Sequence, residues 1–289
     1  MNPHVIHLTD PSDRRLAPYR SLRYRGDQDG FIAEGRWVVE RLLRSGRPLY
    51  SLLLSEDSPL IHHLSGSTEW LGGDWPDAAP LYTLPKQRIS ELVGYPFHRG
   101  VLAHGPVPDW LPLERFPLET ASAPHPVGLA LLGVTDPENV GSLLRTAAAM
   151  GVQDVLVGPG TISPYSRRAI RVSMASVFSH RLYRLEDPVT DLTRLTEWGV
   201  RSVATTLSPD ATPLFDLAVG QSAGPVVLVM GNEADGLPEP VQRAATVRAT
   251  LPMGGDTDSL NVSVAGAIFL YELTRLRQQD FSDTCHSDQ

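Results

Sequence analysis

The sequence predicts an α/β protein of two domains, the larger of which is built on a mainly parallel sheet. Three observations support this prediction. The chain has 289 residues, a length that suits one large or two ordinary domains. Residues 108–125 are rich in proline and show no sustained period, which is typical of a linker. After this stretch, strand-like apolar runs alternate with helix-like runs, as in parallel strands joined by helices.

The domain boundaries follow from the position of the linker. We assign residues 1–107 to a first domain, 108–125 to the linker, 126–279 to a second domain and 280–289 to a polar tail. In the first domain, the stretch FIAEGRWVVERLLRSG predicts a helix that ends near Gly46, because apolar residues recur in it at helical spacing. These residues are Val38, Val39, Leu42 and Leu43. A strand, LYSLLLS, is predicted to follow.

The second domain shows the alternation most clearly. Four apolar runs predict strands: VGLALLGV, VQDVLVG, RSVATT and PVVLVMG. Three periodic runs predict helices: NVGSLLRTAAAMG, SRRAIRVSMASVF and VSVAGAIFLYELTRLRQ. The last of these has more apolar surface than one face of a small sheet needs. Ligands of such sheets bind at the carboxyl ends of the strands, so we look for a site there.

Composition makes several classes of protein improbable. No apolar run reaches the length of about 18 residues that a membrane-spanning helix needs, and the first residues lack the apolar core of a signal peptide. We therefore expect a cytoplasmic protein. Cys285 is the only cysteine, which excludes an intrachain disulfide and a cysteine-based metal cluster. The nine histidines lack metal-ligand spacing, so no metal site is predicted.

The distribution of charge leaves room for a local nucleic-acid contact. A net charge of −8 argues against indiscriminate binding of nucleic acid, which depends on many phosphate contacts. Nearly all the positive charge is arginine, whose planar group suits bidentate contacts to phosphate. Two clusters stand out: Arg14, Arg15, Arg20, Arg23 and Arg25, and Arg167, Arg168, Arg171, Arg181 and Arg184. A solvated surface explains either cluster equally well.

Three polar stretches lie at the ends of the predicted strands. In DPENVGSLLRTAAAMGV, Asp136 and Asn139 can cap a helix whose apolar stripe leaves Arg145 on another side. Arg145 is either a solvated side chain or a ligand of a phosphate or hydroxyl. In VVLVMGNEADGLPEP, Gly231 ends a strand, and such a glycine serves a turn or the close approach of a ligand equally well.

The third stretch is LPMGGDTDSLN, which precedes the last helix. Its Ser259 and Asn261 are typical N-cap residues, because their side-chain oxygens accept hydrogen bonds from the first turn of a helix. The usual nucleotide-binding motifs are missing from the sequence. It has no G-x-G-x-x-G after the first strand of the second domain and no Walker-type phosphate loop.

Together and in this order, the three stretches resemble the motifs of the SpoU/TrmH family of RNA ribose 2′-O-methyltransferases. The resemblance spans residues 127–275. The first motif, N-x-G…R-T-A…G, is matched by Asn139, Gly141, Arg145, Thr146, Ala147 and Gly151. The second, G-x-E-x-x-G, is matched by Gly231, Glu233 and Gly236. The third is matched from Leu251, which replaces the usual isoleucine, and Ala175 stands where the family has glycine.

The resemblance implies a fold, a cofactor and an assembly. The parallel sheet would carry a deep trefoil knot in its carboxyl-terminal part, an exception to the rule against knots. More weakly, FIAEGRWVVERLL and ELVGYPFHRGVLA resemble the family's ribosomal-protein-like α/β domain, which binds the RNA substrate. The cofactor would be S-adenosylmethionine, without a metal. A homodimer would form through the knot region, with parts of each site completed by the other subunit.

The resemblance also assigns roles to residues. Asn139, Arg145, Glu233, Ser259 and Asn261 would form the catalytic site, and the backbone at Gly231, Leu251 and Leu260 would hold the cofactor. Arg145 would engage the ribose 2′-hydroxyl or a neighbouring phosphate, as a base or as an electrostatic clamp. Ribosomal RNA is favoured slightly over transfer RNA as substrate. Two alternatives stay open: a non-catalytic RNA-binding protein of the same fold, and another enzyme that uses a nucleotide.

Overall fold

The computed structural model describes residues 5–20, 22, 30–58, 79–98, 100–116, 126–217, 224–254 and 259–286, with side chains as far as residue 275. The chain forms two compact units. Unit 1 consists of Met1–Pro108 together with Ser163–Phe178, and unit 2 consists of Asp109–Ile162 together with Ser179–Gln289. Unit 1 therefore takes in a segment that lies far along the chain from the rest of it.

The strands and helices are numbered in chain order. The strands are β1 Val5–His7, β2 Phe31–Glu34, β3 Ser51–Ser55, β4 Leu81–Leu84, β5 Val101–Gly105, β6 Val127–Leu131, β7 Asp154–Val157, β8 Arg181–Arg184, β9 Arg201–Thr205, β10 Thr212–Pro213, β11 Val226–Met230 and β12 Val247–Thr250. The α-helices are α1 Arg36–Arg44, α2 Lys86–Val93, α3 Pro137–Ala149, α4 Arg167–Val172, α5 Pro188–Glu197, α6 Glu239–Ala244 and α7 Val262–His286.

Unit 1 contains a five-stranded sheet in the order β1-β4-β3-β5-β2. The strands β1, β4 and β3 are parallel, whereas β5 runs antiparallel to both β3 and β2. The predicted helix FIAEGRWVVERLLRSG begins later than the sequence indicated, because Phe31–Glu34 form the buried strand β2. Gly35, with a φ of 103°, turns the chain between β2 and α1.

The segment Ser163–Phe178 completes unit 1. Arg167 of α4 donates hydrogen bonds to the Glu34 carboxylate at 2.9 Å and to the Tyr95 hydroxyl at 2.6 Å. Glu34 is buried, so its charge needs such a partner. The ring of Phe178 packs against that of Phe31, with centroids 4.7 Å apart. These contacts attach the segment to the edge strand β2.

The predicted helix SRRAIRVSMASVF is only partly correct. Regular α-helix stops at Val172, and a 3-10 turn follows over Ser176–Ser179. Between them, Met174 and Ala175 adopt φ values of 54° and 66°. This left-handed conformation is unfavourable for side chains with a Cβ atom and breaks the helical hydrogen bonds. The same conformation explains why glycine would suit the position of Ala175.

Unit 2 contains a seven-stranded sheet in the order β10-β12-β9-β11-β6-β7-β8, and every pairing in it is parallel. The predicted parallel sheet is thus confirmed, with β6, β7, β9 and β11 where the apolar runs placed them. Residues 109–116 of the predicted linker also belong to this unit. Leu111 pairs with Tyr183, and Phe116 is fully buried in the core. The remainder of the linker, 117–125, lies outside the described residues.

Candidate active site

Three side chains from the three predicted motifs form one hydrogen-bonded chain in unit 2. The Asn139 Nδ2 group, on α3, donates to Glu233 Oε1 at 3.0 Å. The Asn261 Nδ2 group, just before α7, donates to Asn139 Oδ1 at 3.0 Å. We call Glu233, Asn139 and Asn261 the amide relay. It joins stretches of chain that are 94 and 122 residues apart in sequence.

Glu233 ends the relay as a carboxylate that only accepts hydrogen bonds. Besides Asn139, its oxygens accept from the backbone N–H groups of Thr135 at 3.3 Å and Asp136 at 3.2 Å, and from the Thr135 hydroxyl at 3.3 Å. Burial acts to raise the pKa of Glu233, but these hydrogen bonds outweigh it and hold that pKa below its usual value. Glu233 therefore remains ionised at neutral pH.

Asn261 ends the relay as the N-cap of α7. Its Oδ1 accepts from the backbone N–H groups of Ser263 at 2.8 Å and Val264 at 3.3 Å, and from the Ser263 hydroxyl at 2.6 Å. The predicted capping role of Asn261 is confirmed. Ser259 was expected to share it, but no hydrogen bond of a cap involves this residue in the described part of the chain. Ser259 is exposed and lines a cavity instead.

The polarity of the amide relay is fixed by its two ends. Asn261 must turn Oδ1 toward the helix, because the first-turn N–H groups need an acceptor. Its Nδ2 group therefore points to Asn139, which must accept the hydrogen bond with its Oδ1 atom. The Nδ2 group of Asn139 is left for the Glu233 carboxylate. Both amides are thus oriented by a charge at one end and a helix N-terminus at the other, so neither can flip without losing a hydrogen bond.

The loop after β11 turns back on itself at Gly231. A Cβ atom on Gly231 would lie 2.5 Å from the backbone nitrogen of Leu237 and closer still to the backbone of Gly236. Asn232 and Gly236 exchange backbone hydrogen bonds at 3.1 and 3.0 Å, and Gly236 has a φ of 67°. Of the two roles that the sequence allowed for Gly231, the structure therefore supports the turn.

Replacing Gly231 with alanine should disrupt this loop. The new methyl group would meet backbone atoms, which cannot move aside as a flexible side chain can, so the turn and the placement of Glu233 should both change. We expect Gly231→Ala to lower the midpoint of urea unfolding by an amount that corresponds to about 2 kcal/mol or more. Gly254→Ala is the matched control, because no atom of the described residues, apart from the chain neighbours, lies within 4 Å of a Cβ there. Equal stability of the two variants would contradict the described turn.

A cavity of about 320 Å³ lies at the carboxyl ends of β9 and β11 and beside the start of α7. Its lining includes five of the predicted site residues, namely Gly231, Glu233, Leu251, Ser259 and Leu260. Met230 and Phe269 add apolar surface, and Thr205 and Asp235 add polar groups. A mainly apolar cavity with a few polar groups at the ends of parallel strands is the usual form of a small-molecule site.

Arg145 is not part of this arrangement in a single chain. It lies on the exposed side of α3, away from the buried stripe of Val140, Leu143, Leu144 and Ala147, as the sequence predicted. It does not line the cavity. Among the residues that the structure describes, none forms a hydrogen bond or ion pair with its guanidinium. The structure thus brings together Asn139, Glu233 and Asn261, and leaves Arg145 open to solvent.

Sequence reasoning overlooked two residues that support the site. Thr135 binds Glu233 through its backbone and its hydroxyl. Asn232 donates from Nδ2 to the Gly133 carbonyl at 2.7 Å and accepts from the Ala234 N–H at 2.8 Å, which ties the Gly231 loop to the end of β6. The signal was present in both cases, because a polar residue next to a motif residue at a strand end commonly supports a turn.

Several of the described arginines in the two predicted clusters form ion pairs within the protein. Arg15 pairs with Asp13, Arg167 with Glu34 and Arg181 with the buried Asp154. Arg23 and Arg25 lie outside the described residues.

In the portion of the chain that the structure covers, no helix is long and apolar enough to cross a membrane. No group of three histidine, cysteine or acidic residues within that portion is arranged to hold a metal ion.

Comparison with known proteins agrees with this geometry. The family model described as the SpoU rRNA Methylase family matches residues 126–271. A tRNA/rRNA methyltransferase of Mycobacterium tuberculosis, itself uncharacterized, is 34% identical over 94% of this chain and 92% of its own length. The 23S rRNA (guanosine-2′-O-)-methyltransferase RlmB of Pseudomonas aeruginosa is 36% identical over 62% of this chain and 71% of its own.

Solved structures give the same result. The crystal structure of an rRNA methyltransferase from Sinorhizobium meliloti superposes with a TM-score of 0.75 and 27% identity, over 94% of this chain and 98% of that one. An AdoMet-bound structure, also of an rRNA methyltransferase from Sinorhizobium meliloti, has a TM-score of 0.72 at 26% identity, over 94% and 98% of the two chains. With its three motifs joined by hydrogen bonds and a relative matched along nearly its whole length, this protein belongs to the SpoU rRNA Methylase family.

Proposed function

We propose that the protein transfers a methyl group from S-adenosylmethionine to a ribose 2′-hydroxyl in structured RNA, with ribosomal RNA favoured over transfer RNA. The observation that carries this proposal is the amide relay, which joins three distant stretches at the edge of one cavity. The named activities of the relatives support it, since RlmB of Pseudomonas aeruginosa is a ribose methyltransferase by name. We expect the enzyme to act in the cytoplasm.

The cavity suits S-adenosylmethionine in size and chemistry. Its volume of about 320 Å³ lies within the range of pockets for small ligands. Leu251, Leu260 and Phe269 offer apolar surface to an adenine ring, and Thr205 and Asp235 offer polar groups to the ribose and the amino acid. Backbone groups of the Gly231 loop add donors and acceptors. When bound, the cofactor supplies a methyl group activated by a positively charged sulfonium, a chemistry that requires no metal.

The protein's part is to hold the ribose hydroxyl in line and to stabilise the charge that develops on its oxygen as the methyl group leaves sulfur and the hydroxyl proton passes to water. We assign the second task to Arg145. A guanidinium stays protonated at neutral pH, so Arg145 acts as an electrostatic clamp on the 2′-oxygen or the adjacent phosphate rather than as a base. The amide relay positions the elements around the reacting groups, because the hydrogen-bonding capacity of Asn139 and Glu233 is directed within the protein. Ser259, exposed at the cavity, is left to contact the ribose.

We also propose that the active form is a homodimer, with the carboxyl-terminal part of each unit 2 threaded as a trefoil knot. Leu260, just before α7, and Val264, Ile268 and Tyr271 within it recur every three or four residues and are 38 to 60% exposed. Such an apolar stripe on a water-facing side is typical of a surface that a partner covers. Because Arg145 does not line the cavity of its own chain, the second copy would complete the site.

A charge in the middle of this stripe should separate the dimer. We expect Ile268→Glu to give a monomer that still folds, because the side chain is 40% exposed, and to lose methyl transfer. Light scattering after gel filtration gives the mass, and labelled methyl transfer gives the activity. Val189→Glu on α5 is the matched control, since Val189 is 37% exposed. A fully active monomer would rule out shared sites.

The proposed reaction is tested by transfer of labelled methyl from S-adenosylmethionine to protein-free ribosomal and transfer RNA from a strain that lacks this gene. Nuclease digestion then identifies the labelled nucleotide. We expect a 2′-O-methylnucleotide in ribosomal RNA. Label on a base would overturn the ribose assignment. Binding of the cofactor without transfer to either RNA or to assembled ribosomal subunits would favour the non-catalytic RNA-binding alternative, and no cofactor binding would overturn the proposal itself.

A further inference from the structure

The outer side of α1 in unit 1 has an unusual composition. The inner side packs in the core through Val38, Val39, Leu42 and Leu43, all of them buried. The outer side exposes Arg36, Trp37, Arg41 and Arg44, which we call the α1 face. These residues were in neither of the arginine clusters that the sequence indicated.

The exposure of Trp37 is not explained by the stability of the helix. Trp37 is 61% exposed, although tryptophan has one of the largest apolar surfaces of any residue. Arg36 is the first residue of α1, where a positive charge is opposed by the helix dipole. The Arg36 Cζ atom lies 5.1 Å from the centre of the Trp37 ring. The pair is therefore already stacked, with much of the indole open to solvent.

Arg41 and Arg44 extend the face toward the end of the helix. Their charges favour the helix dipole there, so folding accounts for part of their presence. Arg41 donates to the Met174 carbonyl at 3.2 Å, and Arg44 pairs with Glu40 at 2.6 Å. Glu40 is the only acidic residue of α1, so the helix carries a net positive charge in a chain whose net charge is −8.

The spacing of these residues matches a short stretch of nucleic acid. Trp37, Arg41 and Arg44 lie on one side of the helix at positions i, i+4 and i+7, a length of roughly 10 Å. About three stacked nucleotides cover that distance, at roughly 3.4 Å each. An aromatic ring that stacks on a base, next to arginines that contact phosphates, is the usual way in which proteins bind single-stranded RNA.

We propose that the α1 face binds an unpaired segment of the substrate RNA, with a base stacked on Trp37 and phosphates held by Arg36, Arg41 and Arg44. The inference rests on the proposed function, because it names where that RNA is held. RNA accounts for the feature that folding leaves unexplained, namely the exposed indole, and for the positive charge beside it.

The test compares Trp37→Ala with a matched control, Trp198→Ala. Trp198 is also exposed at a helix end and also stacked on an arginine, with the Arg194 Cζ atom 4.9 Å from its ring. Trp198 is less exposed than Trp37, at 37% against 61%, and its Arg194 is paired with Glu114 and Asp191. The probe is a 12-nucleotide single-stranded oligoadenylate, with a base-paired hairpin of equal length for comparison. We expect Trp37→Ala to weaken binding of the single strand about tenfold, Trp37→Phe to retain most of it and Trp198→Ala to leave it unchanged.

Salt dependence gives a second measurement. If Arg41 contacts one phosphate, Arg41→Gln should reduce the slope of log K against log salt for the single strand by about 0.7. Thermal melting of each variant shows whether it is folded. An unchanged slope together with unchanged affinity of a folded Trp37→Ala variant would overturn the inference. So would equal weakening by Trp198→Ala, or equal affinity of the wild type for the hairpin.

Methyl transfer separates this inference from the proposed function. With ribosomal RNA as substrate, Trp37→Ala should raise KM about tenfold and leave kcat and the Kd for S-adenosylmethionine unchanged, since Trp37 lies in unit 1 and the cavity in unit 2. Transfer by the wild type with an unchanged KM in the variant would overturn the α1 face and leave the reaction standing. Loss of oligoadenylate binding in the variant, with no transfer by the wild type, would support the face and overturn the reaction.

Discussion

Arg145→Ala is expected to lower kcat for methyl transfer by about 10²- to 10³-fold, the usual effect of removing one group that stabilises charge in a transition state. The Kd for S-adenosylmethionine should not change, because Arg145 does not line the cavity. The stability of the fold should not change either, because Arg145 is exposed and lies opposite the buried side of α3. Single-turnover kinetics with saturating RNA and isothermal titration with the cofactor measure the two quantities.

Two variants give this expectation its controls. Arg145→Lys keeps the charge but loses the planar fork, so it should recover part of the rate if Arg145 acts as a clamp. Arg14→Ala removes another exposed arginine, in unit 1, and should leave kcat unchanged. A kcat for Arg145→Ala within threefold of the wild type would assign Arg145 to the solvated surface, the plain interpretation of its exposure.

Asn139→Asp is expected to have the largest effect on stability. The substitution keeps the shape of the side chain but replaces the Nδ2 donor by an oxygen that faces the Glu233 carboxylate at 3.0 Å. Turning the group over does not help, because both of its oxygens are acceptors. Asn139 is buried, so the new carboxylate would lose its hydration, even though the Glu233 side chain beside it is exposed. We expect a loss of about 3 kcal/mol in the free energy of unfolding at neutral pH, measured by urea denaturation.

The pH dependence of this loss follows from the signs of the pKa shifts. In the wild type, the pKa of Glu233 is lowered, so its contribution to stability is present above its usual pKa of 4.5 and is lost as the pH falls below that value. In the variant, repulsion raises the pKa of one carboxyl of the pair, and the penalty is relieved as that group takes up a proton. The difference between the proteins should therefore be largest at neutral pH and shrink toward pH 4.5.

Asn261→Asp provides the comparison. Aspartate keeps the acceptor that caps α7, so only the hydrogen bond to Asn139 is lost. We expect about 1–2 kcal/mol for this change, less than for Asn139→Asp because the new carboxylate does not face Glu233. If both variants unfold at the wild-type midpoint at neutral pH, the amide relay does not orient the site.

The parts of the fold that the sequence predicted are those buried on both faces. The strands β6, β7, β9 and β11 are short apolar runs at the centre of the sheet, where burial alone selects the residues. By contrast, β8 and β12 read RLYR and VRAT, because strands near the edge need fewer apolar residues. Arg181 in β8 is paired with the buried Asp154 at 2.6 Å, a contact that no local pattern reveals.

The candidate site was predicted as a set of residues but not as a geometry. Asn139, Glu233 and Asn261 were identified by resemblance, and the carboxyl ends of parallel strands predicted that they would meet. Which atom donates to which could not be predicted, because partners 94 and 122 residues apart have no fixed register in sequence. The α1 face was overlooked for a related reason, since a helical pattern shows which residues are apolar but not which remain uncovered.

The composition of unit 1 sets a limit on the order in which the protein can fold. Residues 1–108 leave the ribosome first, yet the unit they belong to also needs Arg167 for the buried charge of Glu34 and Phe178 for the ring of Phe31. At 5–20 residues per second, the segment that supplies them follows after roughly 4 to 14 s. During that interval β6, α3 and β7 are already being made. Unit 1, whose sequence comes first, is therefore completed only after the core of unit 2 has begun to form. Until then, β2 in the nascent chain lacks its contacts with Arg167 and Phe178.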